Sequence, residues 1–235
     1  MTDRQLIERM QEIDAGFRRY FVSSFLRGLS RADSEKEALR AAHIAEVRRL
    51  DNVDLEITNP GIPVVPVSLE DFKQRSDFPK VFEALAAVQE WIKGLAPHLL
   101  TLSGPPGVGK SHLAIAAAQK LVATNHQVIY CEESVMMRTL MAAIKTGQTD
   151  KLILELEEVP WLVLEELGMT AQSPWTNEVL DRLINTRWKN AEVVRTLITT
   201  NLTSAQLPAR IADRLGDVHR GKAILIDAIS YRRNQ

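Results

Sequence analysis

The sequence predicts an α/β protein in which a parallel β-sheet is covered by helices on both faces. From about residue 79 onward, short and continuously apolar runs alternate with longer stretches whose apolar residues recur at helical spacing. Such alternation is typical of parallel sheets, because the crossover helices bury both faces of every strand. In addition, a turn rich in glycine and proline joins the first apolar run directly to a helical stretch, which marks a strand-to-helix connection.

Composition and charge exclude few classes of function. The chain has 235 residues, 45% of them hydrophobic, and a formal net charge of −1, so its bulk charge indicates no particular partner. Cys131 is the single cysteine, which excludes a disulfide within the chain, and the histidines lack zinc-binding spacing. No apolar run reaches membrane length and the N-terminus lacks a signal peptide. We therefore expect a cytoplasmic protein with no membrane partner.

Residues 1–58 are predicted to form a small helical region ahead of a main domain, 59–235. The second of two expected helices opens at Ser34 with Glu37 three residues later, which is the capping-box pattern. The first carries an apolar stripe at helical spacing: Leu6, Met10, Ile13, Phe17, Phe21 and Phe25. A proline-rich linker, "NPGIPVVPVS", follows. Two interpretations stay open, a hairpin packed on the main domain or a module that docks on another protein.

The main domain begins with a helix, "PKVFEALAAVQEWIKGL", which is predicted to end near Gly94. The predicted strands are "HLLTLSG", "QVIYC", "PWLVLEE", "RTLITTN" and "KAILIDAI". The predicted helices between them are "GKSHLAIAAAQKLV", "SVMMRTLMAAIK", "TDKLILELEEV", "TNEVLDRLINTRWKN" and "PARIADRL". Thr176 is expected to be the N-cap of its helix, since a threonine hydroxyl can accept from the first free N–H groups.

A phosphate-binding loop is predicted where "GPPGVGKSHLA" follows the first strand, because it has the spacing G-x-x-x-x-G-K-S. Gly104 and Gly109 let the backbone curl so that its N–H groups face a phosphate, and the next helix adds its positive N-terminal end. We expect Lys110 to reach the β- and γ-phosphates of a nucleotide and the Ser111 hydroxyl to reach Mg²⁺. The alternative is a chance glycine turn.

Two acids, Glu165 and Glu166, end the apolar strand of "WLVLEEL". The carboxyl ends of strands are where open α/β sheets bind ligands. In a P-loop ATPase the first acid of such a pair orients the Mg²⁺ shell and the second polarises the attacking water. The first position normally holds aspartate, so the longer Glu165 predicts altered geometry and slow turnover. The alternative is a charged strand end in a surface loop.

Asn201 ends the next strand, "LITTN", which is expected to lie beside the strand of the two acids. An amide at this place can hold the attacking water or the γ-phosphate. Because strands also end in asparagine at ordinary turns, this assignment depends on the other two motifs.

The order and spacing of six segments resemble the AAA+ ATPases of the DnaC/DnaI/IstB group: "GPPGVGKSHLA", "WLVLEELG", "INTRW", "LITTN", "ARIADRL" and "ISYR". The resemblance covers about residues 60–235. It implies a five-stranded parallel αβα sandwich with the P-loop strand in the middle and no helical lid after the last strand. It also implies that ATP and Mg²⁺ are held by the loop residues Gly104, Pro105, Pro106, Gly107, Val108, Gly109, Lys110, Ser111 and His112.

Three arginines receive roles from the resemblance. Arg214 matches the arginine-finger position that acts on the nucleotide of the next subunit in a homo-oligomer, and Arg210, one helical turn earlier, is its expected helper. Arg232 matches the position that contacts the nucleotide within its own subunit. For Arg214 the alternative is a salt bridge to a nearby acid such as Asp217.

The expected function, by resemblance, is that of a helicase loader, an ATPase that places a replicative helicase on single-stranded DNA. The region 1–58 is then the helicase-docking part. Members of the IstB kind instead assist a transposase, and the sequence does not choose between these partners. Two functions of other classes stay open: a small-molecule kinase, against which the arginine motifs argue, and an adaptor that binds ATP as a switch and barely hydrolyses it.

Two features of the charge pattern bear on DNA. Residues 187–235 contain nine Lys/Arg and four acidic residues, an excess that suits a nucleotide or DNA but equally suits subunit contacts. The segment 132–151 carries Arg138, Lys145 and Lys151 at a position that loader-type AAA+ proteins elaborate. We expect this segment to contact single-stranded DNA mainly through phosphates. The alternative is a solvated helix face.

Overall fold

A computed structural model describes residues 62–63, 67–70, 72, 78–171 and 173–231. The predicted N-terminal region 1–58 and Arg232 lie outside the described residues. The helices and strands below are numbered within the described part of the chain. No helix in that part combines the length and the apolar character needed to cross a membrane.

Five strands form a single sheet in the order β2-β3-β4-β1-β5, and every neighbouring pair is parallel. Their bounds are Leu99–Ser103 (β1), Val128–Glu132 (β2), Trp161–Glu165 (β3), Arg195–Thr200 (β4) and Gly221–Leu225 (β5). This confirms the predicted five-stranded parallel sheet. The P-loop strand β1 is an interior strand, but β4 is the central one, so the expected middle position of β1 was wrong by one strand.

Six α-helices accompany the strands, one before β1 and the others in the crossover connections. Their bounds are Pro79–Ile92 (α1), Lys110–Ala123 (α2), Glu133–Ile144 (α3), Thr149–Glu158 (α4), Pro174–Lys189 (α5) and Ala209–Leu215 (α6). The N-cap of α5 is Ser173 and not Thr176, which is the third helical residue. Pro174 at the first helical position fixes this start, and the two hydroxyls bond reciprocally to each other's backbone N–H.

Each face of the sheet buries its own apolar cluster. On one face α1 and α2 pack over Leu102 and Val163, and on the other α3 to α6 pack over Leu162 and Leu164. Successive side chains of a strand point to opposite faces, which explains why continuously apolar strands are needed here. Each fully buried leucine contributes roughly 1.5–3 kcal/mol to stability, so the two clusters hold the strand ends rigidly in register.

Arg187 is a buried arginine, 2% exposed, whose hydrogen bonds join separate elements of the fold. Its guanidinium donates to one hydroxyl and four backbone carbonyls, those of Thr196, Leu156, Glu157, Val159 and Arg195. Burial lowers the pKa of Arg187 to about 9, which leaves it charged at neutral pH. The group joins the end of α4 to β4.

The cation excess of residues 187–235 is therefore partly used inside the domain. Arg187 is buried, Arg195 donates to the carbonyls of Gly94 and Leu95, and Lys222 forms a 3.0 Å ion pair with Glu83. These three cations are bound by groups of the same domain, which leaves fewer charges of the excess for a nucleotide, for DNA or for another subunit.

Candidate nucleotide-binding site

The loop between β1 and α2 has the backbone of a phosphate-binding loop. Gly104, Gly107 and Gly109 all adopt positive φ angles of 143°, 82° and 104°. A Cβ at Gly104 would collide with the carbonyl oxygen of Ile226, and one at Gly109 would lie 2.8 Å from the ring of Phe72. Glycine is required at these points because the loop curls tightly against its surroundings. No side chain caps the N-terminus of α2, so its first N–H groups are suited to an anion.

Lys110 lies folded along the loop and is 6% exposed. Its Nζ donates to the carbonyl oxygens of Gly104 and Pro105 at 2.7 and 2.9 Å. Burial lowers the pKa of Lys110 to about 8, while the nearby charges of Glu165 and Glu166 act in the opposite direction. The ammonium therefore remains mostly charged at neutral pH and lies between the loop and the two acids.

The remaining loop residues differ in exposure. Val108 is fully buried in the core of the α1 and α2 face, while Pro105 and Pro106 are exposed. His112, on the first turn of α2, has its Nε2 3.0 Å from the carbonyl oxygen of Ser68 and its ring 5.2 Å from that of Phe72. These contacts hold the first turn of α2 against Ser68 and Phe72.

The last described residues of the chain also reach the loop. The N–H of Tyr231 donates to the carbonyl of Gly107 at 2.8 Å, and the Tyr231 ring packs edge-on against Phe72. Tyr231 directly precedes Arg232. The "ISYR" segment is thus anchored on the phosphate-binding loop up to the residue before that arginine.

Glu165 is a buried carboxylate, 3% exposed, at the end of β3. It accepts hydrogen bonds from the Tyr130 hydroxyl at 2.6 Å and from the Thr199 hydroxyl at 3.3 Å. Burial raises the pKa of Glu165, while Tyr130, the nearby side chain of Ser111 and Thr199 act in the opposite direction. The first acid and the loop serine, both expected at the metal, thus lie close together.

Glu166 is exposed and has a positive φ angle of 58°. Such a backbone is uncommon outside glycine and costs energy, and it recurs at functional sites. The N–H of Glu166 donates to the Thr199 hydroxyl at 3.1 Å, and the next N–H, of Leu167, donates to the Thr199 carbonyl. The turn after β3 is therefore held on β4, and the two adjacent acids differ in exposure: Glu165 is buried and Glu166 is at the surface.

Asn201 follows β4 and is half-buried, with its amide nitrogen 3.9 Å from the sulfur of Met169. The β4 residue that contacts both acids is instead Thr199. The sequence analysis missed Thr199 and Tyr130, whose signals are weak: a hydroxyl two residues before a strand-terminal asparagine, and a tyrosine within an apolar strand.

Arg210 and Arg214 lie one turn apart on α6, as predicted. Arg214 donates to Asp181 at 3.1 Å and to Asn185 at 3.0 Å, both on α5. Arg210 is mostly exposed and lies 3.7 Å from the same Asp181 carboxylate. The alternative for Arg214, a salt bridge to an acid of the same chain, is what the structure shows, but the acid is Asp181. The named partner Asp217 was wrong: its carboxylate accepts from the indole N–H of Trp188 and from the N–H of His219.

The fold and this site define a domain of the P-loop class, with a parallel sheet and a loop suited to bind a nucleotide. The chain belongs to the family described as IstB-like ATP binding protein, whose sequence model matches residues 33–235. The match begins within the predicted N-terminal region, beyond the range that the motifs covered, and the boundary at residue 58 stays a prediction.

Two curated relatives illustrate the range of similarity. An ATP-binding protein of insertion sequence IS21 from Pseudomonas aeruginosa is 31% identical over 140 residues, which are 56% of this chain and 51% of that protein. The replicative helicase loader DnaC of Escherichia coli is 21% identical over 187 residues, 77% of this chain and 76% of that protein. The chain thus spans about half the length of the IS21 relative.

Solved structures share the fold at low sequence identity. DnaA from Aquifex aeolicus, bound to AMPPCP, has a TM-score of 0.63 and 17% identity, covering 74% of this chain and 54% of that one. The DnaC helicase loader has a TM-score of 0.56 and 24% identity, covering 68% of this chain and 97% of that one. Both confirm the predicted α/β architecture.

Proposed function

We propose that this protein hydrolyses ATP with Mg²⁺. The observation that carries this proposal is the closeness of the phosphate-binding loop to the acidic strand: the charge of the buried Glu165 acts on Lys110, and the side chain of Ser111 lies near enough to lower the pKa of the Glu165 carboxyl. Two motifs that lie more than fifty residues apart in the sequence therefore meet at one point, next to the N-terminus of α2.

The residues present fit the nucleotide and the metal. The uncapped N-terminus of α2, the three positive-φ glycines and the charged Lys110 would hold the phosphates. Ser111 and Glu165 would hold Mg²⁺, which supplies neutralisation of phosphate charge when bound. Glu166, exposed at the strand end, would accept the proton of the attacking water, and Asn201 would orient that water.

We further propose that hydrolysis is shared between subunits of a homo-oligomer. Arg214 would act on the nucleotide of the neighbouring subunit, with Arg210 as its helper and Arg232 contacting the nucleotide of its own subunit. The exposure of Arg210 supports a role towards another molecule. Arg214 would have to exchange its bonds to Asp181 and Asn185 for that role, so assembly and release of Arg214 would be coupled.

As its biological role we propose helicase loading: the ATPase would place a replicative helicase on single-stranded DNA, with residues 1–58 docking the helicase. The alignment with the replicative helicase loader DnaC, which covers about three quarters of both chains, supports this role. A second candidate, a transposition helper that binds DNA and activates a transposase, is favoured by the family match and by the higher identity to the IS21 relative.

The proposed DNA contact lies on α3 and α4. Arg138, Lys145 and Lys151, hereafter the α3–α4 cations, are all exposed, as the contact requires. Apolar side chains on the same helices, Val135, Met141, Ile144 and Leu154, are exposed beside them. Cations next to apolar groups suit a single strand, which offers both phosphates and unstacked bases.

The hydrolysis proposal is tested by ATP binding and turnover of the full chain. Lys110→Ala should lose ATP binding while its unfolding midpoint is kept. Glu166→Gln should bind ATP as the wild type does and lose turnover by about a hundredfold or more, because an amide cannot accept the proton. Should Glu165→Gln lose turnover while Glu166→Gln keeps it, the two acids have the opposite roles.

The choice of partner is tested with purified proteins. The full chain is mixed with a replicative helicase or with an IS21-type transposase, with ATP and single-stranded DNA present, and complexes are separated by size. A stable complex with the helicase supports loading, and a complex with the transposase alone supports the second candidate. Turnover that rises with single-stranded DNA argues against a small-molecule kinase, and binding with negligible turnover would favour an ATP switch.

A further inference from the structure

Glu165 stands where the P-loop ATPase pattern normally has aspartate, and its side chain is one methylene longer. A longer side chain has one more rotatable bond, so its carboxylate is less well fixed by the strand alone. Yet the Glu165 carboxylate is buried at the point where β3 ends. Something in the surroundings must therefore hold it in one position.

Tyr130 provides that support from the neighbouring strand. In the register of β2 and β3, Tyr130 lies opposite Val163, two residues before Glu165. Residues two apart on a strand share a face, so the tyrosine and the glutamate are diagonal neighbours. The Tyr130 hydroxyl donates to Glu165 Oε2 at 2.6 Å, while the Thr199 hydroxyl donates to Oε1 at 3.3 Å. Each carboxylate oxygen thus has its own donor, one from β2 and one from β4.

The hydroxyl has no competing role in the core. Tyr130 is 3% exposed and its ring lies in the apolar cluster under α2. Burial, together with the hydrogen bond to Glu165, raises the pKa of Tyr130, so the phenol stays a donor at any physiological pH. The 2.6 Å distance is in the range of hydrogen bonds between a hydroxyl and a charged carboxylate.

We propose that Tyr130 is a positioning residue for Glu165. Its hydroxyl holds the longer side chain so that the carboxylate lies where the carboxylate of an aspartate would lie, facing Ser111 and Mg²⁺. This inference rests on the proposed Mg²⁺-dependent ATP binding. Tyr130 acts through Glu165 and does not itself touch the nucleotide. The pairing explains how this chain accommodates glutamate without leaving a buried carboxylate free to rotate.

The experiment compares Tyr130→Phe with the wild type, using the full chain and a fluorescent ATP analogue. Affinity is measured with Mg²⁺ and again with EDTA, and thermal unfolding is recorded. Phenylalanine keeps the ring in the core, so we expect the affinity for the ATP analogue in EDTA to be unchanged. The gain in that affinity on adding Mg²⁺ should fall about tenfold, which is the effect of one charge-assisted hydrogen bond. A merely structural hydroxyl would not change the Mg²⁺-dependent part alone.

The matched control is the same substitution in a Glu165→Asp background. The shorter aspartate side chain does not depend on the tyrosine for its position, so in this background Tyr130→Phe should change the affinity gained from Mg²⁺ by less than twofold. Such non-additivity is expected of two residues that are in contact and act together. Equal losses in both backgrounds, or equal losses with Mg²⁺ and EDTA, would overturn the positioning role. A wild type that gains no affinity from Mg²⁺ would overturn the proposed metal site and this inference with it.

Discussion

Replacement of Arg187 by methionine should destabilise the domain far more than loss of a surface arginine does. Arg187→Met keeps an unbranched apolar chain in the same space but removes the donor of five acceptors, three of them in buried hydrogen bonds and two in part-buried ones. Each abandoned acceptor costs about 1–3 kcal/mol. Part of this loss in unfolding free energy is offset, because the substitution also removes a buried charge, whose burial is itself unfavourable. We expect a net loss of about 3–5 kcal/mol, the range found when one partner of a buried polar network is removed.

The assay is thermal and urea unfolding of the full chain, followed by circular dichroism. A loss of this size should lower the unfolding midpoint by about 10 °C for a domain of these dimensions. Arg210→Met is the control: Arg210 is 81% exposed and lies 3.7 Å from Asp181, which keeps Arg214 as a partner, so its loss should cost about 1 kcal/mol or less. Equal midpoints for the two variants would refute the view that the Arg187 hydrogen bonds fasten α4 to β4.

Three other predictions follow from the site and its surroundings. Lys110→Ala and Arg214→Ala should each abolish ATP turnover. A mixture of the two variants should regain part of it, because the intact Arg214 of one can act at the intact phosphate-binding loop of the other. No recovery in mixtures shown to co-assemble would exclude a trans-acting Arg214. Charge reversal of the α3–α4 cations should weaken single-stranded DNA binding at low salt and flatten its salt dependence, and unchanged affinity would remove that contact. Burial raises the pKa of Cys131 to about 12, so at pH 8 its thiolate fraction is roughly a thousandfold below that of an ordinary thiol. Cys131 is half-buried, so iodoacetamide should label the folded chain slowly and the urea-unfolded chain quickly because of the raised pKa, and equal rates would contradict that shift.

The fold was predictable because its information is local and repetitive. Five apolar runs separated by helical stretches specify a parallel sheet, and the P-loop spacing specifies one strand-to-helix turn. Strand order is different, because it is fixed by crossover connections whose destinations no local pattern encodes. The middle position of β1 was expected from the family resemblance and from no pattern in the sequence, and β4 lies there instead.

Residues of the candidate site could be predicted where they belong to a sequence motif. They could not be predicted where only the packing of the folded chain brings them together. Lys110, Ser111 and the two acids were found because their spacing is specific. Tyr130 and Thr199 were missed because their contacts with the two acids depend on the register of β2 with β3 and of β3 with β4. The partner of Arg214 was also missed, since Asp181 is 33 residues away in sequence and becomes its neighbour only when α5 and α6 pack.

The Thr199 hydroxyl has a single hydrogen, and that hydrogen points at Glu165 while the lone pairs accept from the N–H of Glu166. The Thr199 hydroxyl therefore links the backbone N–H of Glu166 to the side chain of Glu165. Because its one hydrogen is used in that link, it has no hydrogen to donate to a phosphate. Any donor that β4 offers to a terminal phosphate must come from another side chain. Asn201, whose amide carries two hydrogens, follows directly at that strand end and would be such a donor under the proposed function, with Thr199 left to align the two acids.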